Sequence, residues 1–210
     1  GSPFFSHLPR WELTSKLKLF FSDTVRAELS AYDGLSEMEH ALPRCYRRWP
    51  DFCRAQYLET VYLMSGYILS SQGDRMAMAH SVEGRYPFLD HRVSEFAARL
   101  HPSLKMHVLN EKYLLKRAAG GMVPPSVLKR SKQPYRAPDG KSFFGKQSLD
   151  YVEELLSPER LKKDGVFQPG AVAKLVSKLK SGRIVTTKDD MALVGILSTQ
   201  LVIQRFLHQA

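Results

Sequence analysis

The run Gly73–Arg92, GDRMAMAHSVEGRYPFLDHR, constrains this chain most, because it forces one helix to stop and another to start within a short stretch. Met76, Ala79, His80 and Glu83 recur at helical spacing, which predicts that they share one face. Gly84 suits a left-handed cap, and Pro87 disfavours helix at Tyr86, so the first helix is predicted to end at about Gly84. Asp90 suits the N-cap of the next helix, while Val93 at its N3 position denies it a capping box. Glu83 and Arg85 would point to opposite sides of a continuous helix; a break between them lets both turn toward one space. The residue types alone leave two readings open, a joint pinned by a local ion pair or a charged site at a helix end.

The chain has 210 residues, 43% hydrophobic and 25% charged, enough for one domain with a real core. Its net charge of +10 is spread along the sequence and not massed in one run. Nucleic acid, a polyphosphate or an acidic partner domain would all suit such a surface. No zinc-finger spacing or aromatic RNA-binding signature accompanies the charge, so nucleic acid is not expected as a partner. Cys45 and Cys53 are the only cysteines, which argues against a disulfide framework and for a reducing, cytoplasmic setting; both read as partly buried small hydrophobes. No run approaches the ~20 apolar residues of a membrane span, and no membrane partner is expected. Gly1-Ser2 reads as a cloning scar, so residues 3–210 are expected to be a piece of a longer protein.

Elsewhere proline, glycine and capping residues divide the chain into helices. Pro3–Trp11 reads as irregular, followed by helices over Thr14–Phe21, Ser22–Ser30 and Leu35–Leu42. Asp51–Ser71 carries Phe52, Tyr57, Val61, Met64 and Ile68 and predicts a core helix, with Tyr57, Tyr62 and Tyr67 as packing. Asp90–Leu100 should bury Val93, Phe96, Ala97 and Leu100, and Asn110 should cap a helix over Glu111–Ala119. Arg130–Phe144 is the least regular stretch. A helix follows through Leu156, then one opened by Ser157-Pro158 and closed by Gly165, then Pro169–Leu179. Asp190–His208 should be the central C-terminal helix, with Met191, Val194, Leu197, Leu201, Ile203 and Phe206 on its buried side and Gly195 permitting close packing. No convincing strand is found, so the fold class is mainly α.

The stretch Ser81-Val82-Glu83-Gly84-Arg85-Tyr86-Pro87-Phe88-Leu89-Asp90 resembles the S-[LV]-E-A-R-x-P-F-L-D signature of the asparagine synthetase family, with Gly84 in place of the usual Ala. Asp74-Arg75, Ser131-Lys132-Gln133, Pro3–Arg10, Gln56–Gly66 and Met191–Gln200 extend the resemblance over nearly the whole chain. It implies the C-terminal helical part of an adenine-nucleotide alpha-hydrolase-like (PP-loop ATPase) synthetase domain, lacking the parallel sheet. Family members activate the side-chain carboxylate of aspartate with ATP and Mg²⁺, and ammonia from a glutaminase domain attacks the acyl-adenylate. Lys132 matches a lysine that faces pyrophosphate and the tetrahedral intermediate, and Glu83 a carboxylate that in ring-forming relatives helps deprotonate the nucleophile. Arg85 and Asp74 are candidates for substrate or phosphate binding; from the residues themselves, Arg85 pairing with Asp90 and Asp74 pairing with Arg75 are the plainer expectations. His80 reads as a satisfied core histidine, and no metal site is expected.

The family's N-terminal nucleophilic Cys and its Ser-Gly-Gly-x-Asp-Ser pyrophosphate loop have no match here. The chain is therefore expected to hold one wall of an active site, to need the missing glutaminase and PP-loop portions as partners, to be inactive and without tightly bound ATP alone, and to self-associate. Two alternatives stand beside this reading. One is an amide-forming ligase of the same family acting on another acid. The other is a stand-alone helical module that binds a protein partner or nucleic acid.

Overall fold

Helices form because the punctuation leaves short apolar-periodic segments with little alternation for strands. The computed structural model describes residues 1–133, 139–144, 149–181 and 185–208. In chain order its helices are α1 (Leu8–Ser15), α2 (Asp23–Glu28), α3 (Gly34–His40), α4 (Asp51–Leu58), α5 (Arg75–Ala79), α6 (His91–Arg99), α7 (Pro102–Lys105), α8 (Tyr113–Ala118), α9 (Pro125–Leu128), α10 (Asp139–Phe143), α11 (Asp150–Leu155), α12 (Pro158–Asp164), α13 (Pro169–Lys180) and α14 (Thr187–Phe206). The fold is mainly α. Among the described residues the one sheet is a hairpin of β1 (Met106–His107) and β2 (Asn110–Glu111), with Met106 opposite Glu111. Two compact units divide the chain.

One unit comprises Leu8–Ala41 and Tyr135–Ala210 and holds the apolar core. Its helix ends follow local chemistry. Ser157 accepts from the Arg160 N–H, Pro158 takes the first helical position, and Gly165 closes α12 at φ 72°. Thr186 and Asp189 form a capping box at the start of α14. Val152, Leu155, Leu161, Val172, Leu175, Leu193, Ile196 and Leu197 then interlock with Phe20, each such burial contributing about 1.5–3 kcal/mol. The buried side of α14 differs from the expected one. It carries Ala192, Leu193, Ile196, Leu197, Gln200 and Ile203, while Met191, Val194 and Phe206 are exposed. A Cβ at Gly195 would meet nothing within 4 Å, so that glycine permits no close packing. Gln200 is buried because it has a polar destination: with Arg160 Nε and His208 Nε2, it ligates the carboxylate of Asp164.

In the same unit α1 begins at Leu8, inside the segment expected to be irregular, and at its other end Thr14 and Ser15 tie their hydroxyls back to the preceding turn. Asp139–Phe143 is likewise helical, with the Gly140 N–H donating to Asp190 Oδ1 at 3.0 Å. Pro134, Tyr135 and Pro138 of the expected irregular stretch lie outside the described residues.

The other unit comprises Gly1–His7 and Leu42–Pro134. Tyr46 anchors it: the ring packs edge-on against Tyr57, and the hydroxyl donates to the Pro3 carbonyl at 2.8 Å. His7, also buried, is tied to Ser6 Oγ and Glu59 Oε2. The expected core helix over Asp51–Ser71 is corrected here. After α4 the winding widens over Glu59–Asp74 to i→i+5 bonding, and none of those residues is buried. Apolar positions spaced for 3.6 residues per turn no longer stack on the wider winding, so Val61, Tyr67 and Ile68 are exposed. Val93 and Phe96 of α6 are exposed too, and Cys45 is exposed where partial burial was expected. Asn110 sits in a strand and caps no helix; α8 starts after Lys112, whose φ of 57° makes the turn.

Candidate active site

Helix α5 stops at Ala79, short of Glu83. The Ser81 N–H donates to the Met78 carbonyl at 3.1 Å and the Val82 N–H to the Ala77 carbonyl at 2.9 Å, a Schellman closure. The left-handed residue is Ser81, at φ 57°, and not Gly84. Backbone bonding won over the glycine signal because the closure falls where α5 runs out of carbonyl partners. Gly84 has another reason to lack a side chain: a Cβ there would lie 2.4 Å from the Tyr86 hydroxyl, whose ring folds back over it. His80 accepts the role of C-cap with Nδ1 2.9 Å from the Met76 carbonyl; it is satisfied but exposed, so the core assignment is corrected.

Beyond the break the charges pair locally. Arg85 Nη2 lies 3.0 Å from Glu83 Oε1, both side chains being largely exposed. The expected Arg85–Asp90 pair does not form, because Arg92 takes that carboxylate through Nε and Nη2, each at 3.0 Å. Asp90 also accepts from the Arg92 backbone N–H, which makes it the N-cap of α6 as predicted. The Arg92 guanidinium, then its backbone N–H, hold the Asp90 carboxyl below the ordinary carboxylate value. Arg92 went unremarked in the sequence, although its place two residues after an N-cap aspartate was a usable signal. Asp74 precedes α5 without a side-chain capping bond, and no ion pair joins it to Arg75 among the described residues.

The turn Pro87–Leu89 separates two hollows. Pro87, Asp90, Arg92, Val93 and Phe96 line one of about 580 Å³. Phe88 and Leu89 face the other, of about 820 Å³, with Trp49, Cys53, Gln56 and Lys105 on its wall. Lys132 stands on an exposed, irregular stretch of the same unit, and no hydrogen bond or ion pair joins it to Glu83 or Arg85 among the described residues. The cations among these groups, Arg85, Arg92 and Lys132, are donors suited to phosphate or carboxylate oxygens. Among the described residues no three His, Cys, Asp or Glu side chains gather as a group that could hold a metal ion. In water the exposed pairs contribute little, but the same charges act far more strongly where water is excluded.

Comparison with known proteins bears on the family of the chain. Residues 6–204 match the family described as Asparagine synthase. The Penicillium rubens protein named Amidase chyE is 32% identical over 153 residues, covering 70% of this chain and 22% of that protein. Asparagine synthetase [glutamine-hydrolyzing] 1 of Bacillus subtilis is 40% identical over 123 residues, covering 57% of this chain and 19% of its own length. Asparagine synthetase [glutamine-hydrolyzing] 3 of the same organism is 39% identical over 111 residues, covering 53% and 17%. The chain thus spans roughly a fifth of the length of these curated relatives. No solved structure matches.

Proposed function

The chain belongs to the asparagine synthase family, and from that premise we propose that it is part of an ATP-dependent, glutamine-hydrolysing ligase that converts aspartate to asparagine through a β-aspartyl-adenylate. The observation that carries the reading is the family match over residues 6–204, which includes the whole Ser81–Asp90 signature. In the proposed reaction an aspartate side-chain oxygen attacks the α-phosphorus of ATP and pyrophosphate leaves. Ammonia then adds to the acyl carbon, AMP departs, and a proton is lost from nitrogen. Lys132 stabilises charge on pyrophosphate and on the tetrahedral oxyanion. Arg85 binds a substrate carboxylate after parting from Glu83, an inexpensive exchange for an exposed pair. Glu83 orients the incoming nucleophile, and Asp74 is a candidate for substrate or phosphate binding. When bound to the nucleotide, Mg²⁺ would neutralise phosphate charge.

The remaining active-site wall and the glutaminase portion belong to the proposal as further parts of the same protein, and so does a cytoplasmic location, supported by two free thiols. The test is aspartate-dependent pyrophosphate release. The full-length protein should show it with ATP and ammonia or glutamine, and the 210-residue chain should not. Release by the short chain would refute its role as a partial site, and absence of aspartate-dependent release by the full-length protein would refute the substrate.

A second reading, an amide-forming ligase for another acid, draws support from the match to Amidase chyE over 70% of this chain. A panel of carboxylic acids in the same pyrophosphate assay separates the two.

A further inference from the structure

The hairpin and the helix after it build a second charged pocket that the proposed amide chemistry does not use. Asn110, Tyr113, Lys116, Arg117, Leu128 and Lys129 line a hollow of about 440 Å³. Three of these six carry positive charge, and none is acidic. Two of the three are held in place by neutral groups. Lys116 Nζ donates to Asn110 Oδ1 at 3.0 Å, and Arg117 Nη1 donates to the Tyr113 hydroxyl at 3.1 Å. The Arg117 guanidinium also lies 5.7 Å from the centre of the Tyr113 ring, which stacks with His107 at 4.9 Å and 27°. Neutral partners fix a cation's position without neutralising it. An exposed lysine or arginine with no role is usually left to move freely or is paired with a carboxylate, because ordering it costs side-chain entropy. Here Lys112, left-handed at φ 57°, leads the chain from Asn110 into α8, where Lys116 meets Asn110, and helical spacing sets Tyr113 beside Arg117.

We propose that this pocket binds a compact polyanion, the di- or triphosphate chain of free pyrophosphate or of a nucleotide. An ammonium and a guanidinium lining one hollow from different sides match oxygens spread over adjacent phosphorus atoms better than a single carboxylate. Lys129, at the end of α9, lines the same pocket. This inference rests on the pocket alone and stands whether or not the family reaction is that of aspartate.

The test is calorimetric titration of the 210-residue chain with inorganic pyrophosphate, ATP and orthophosphate at low and high salt. Pyrophosphate should bind more tightly than orthophosphate, and binding should weaken as salt rises. ATP and pyrophosphate of equal affinity identify the bare phosphate chain as ligand; tighter ATP identifies a nucleotide. Lys116→Met and Arg117→Gln keep most of the side-chain stem while removing charge. Each should weaken pyrophosphate binding about tenfold, and the pair should abolish it. A charge-matched control, Lys162→Met with Lys163→Met on α12, should leave it unchanged. Circular dichroism and melting curves confirm that the variants fold. Equal loss in the control would mean diffuse attraction and overturn the proposal. So would full binding by the folded Lys116→Met/Arg117→Gln pair, or loss confined to Lys132→Ala; that last result would assign the anion to the amide-forming site instead.

Discussion

Gln200 Nε2 lies 2.8 Å from Asp164 Oδ2, tying the middle of α14 to the final residue of α12. The same oxygen accepts Arg160 Nε at 2.8 Å, and the other accepts His208 Nε2 at 2.8 Å. The Asp164 side chain is fully buried and Arg160 nearly so. Removing the carboxylate leaves the Arg160 guanidinium, among the described residues, with a single 3.9 Å contact to Glu154. Asp164→Ala should therefore cost about 3–5 kcal/mol, the range for breaking one side of a buried pair, as measured by urea unfolding.

The same carboxylate predicts a pH dependence. Burial by itself would raise the Asp164 carboxyl, but hydrogen bonds from Arg160, His208 and Gln200 outweigh it and hold the group below its ordinary value. A carboxyl depressed by folding adds stability above its unfolded value of about 3.9, and that stability is lost as pH falls toward and through the folded value. Asp189 is depressed in the same sense: burial opposes, while Lys178 and Thr186 more than compensate. Wild-type stability should fall steeply below about pH 4, and Asp164→Asn should flatten that fall.

Lys132→Ala in the full-length protein should lower turnover about 10²–10³-fold, roughly 3–4 kcal/mol of barrier, with a smaller effect on substrate binding. Lys132→Arg should rescue little, because a planar guanidinium cannot replace a compact point charge. Melting temperature should hardly change, since the side chain is exposed on an irregular stretch. Unchanged turnover would end the catalytic role.

Ser81→Gly should stabilise the chain by about 1 kcal/mol, because an L side chain at φ 57° is strained and glycine is not. Chemical denaturation measures it; a neutral or destabilising result would show that the hydroxyl compensates the strain.

Gly195→Ala should also stabilise, by about 0.5–1 kcal/mol. The added methyl enters open space on a regular helix, and the unfolded chain loses freedom.

Apolar groups around the signature should drive association between copies. Phe88 is 69% exposed and Phe96 63%, with Val82, Leu89 and Val93 also outside. Sedimentation should show concentration-dependent self-association, and Phe88→Ser with Phe96→Ser should shift the chain toward monomer.

Helix ends were the legible part of the sequence. Ser157-Pro158, Gly165, Pro169 and Asp90 each act locally, so their roles could be read without knowing the fold. The buried side of α14 could not. That helix is apolar on more than one side, and the decisive buried residue is a glutamine whose partner lies 36 positions earlier. The hairpin was hidden for a different reason: strands of two residues show no alternation, and Val108 at φ 56° carries no turn signature. At the candidate site the signature itself was plain, as were Glu83 and Arg85. Their pairing to each other depended on Arg92 claiming Asp90 first, a competition that spacing does not rank.

The apolar core lies in one unit, while the signature-bearing unit buries little beyond Phe4, His7, Tyr46 and Leu58. Cooperativity follows burial, so the chain should not melt as one body. Amides of α12, α13 and α14 should exchange with solvent only on full unfolding, whereas those of α5 and α6 should exchange through small openings. Heat should then produce a broad early loss of helix followed by a sharp late one. A ligand or covering segment that seals the Ser81–Asp90 face would show itself first as a merging of those two transitions.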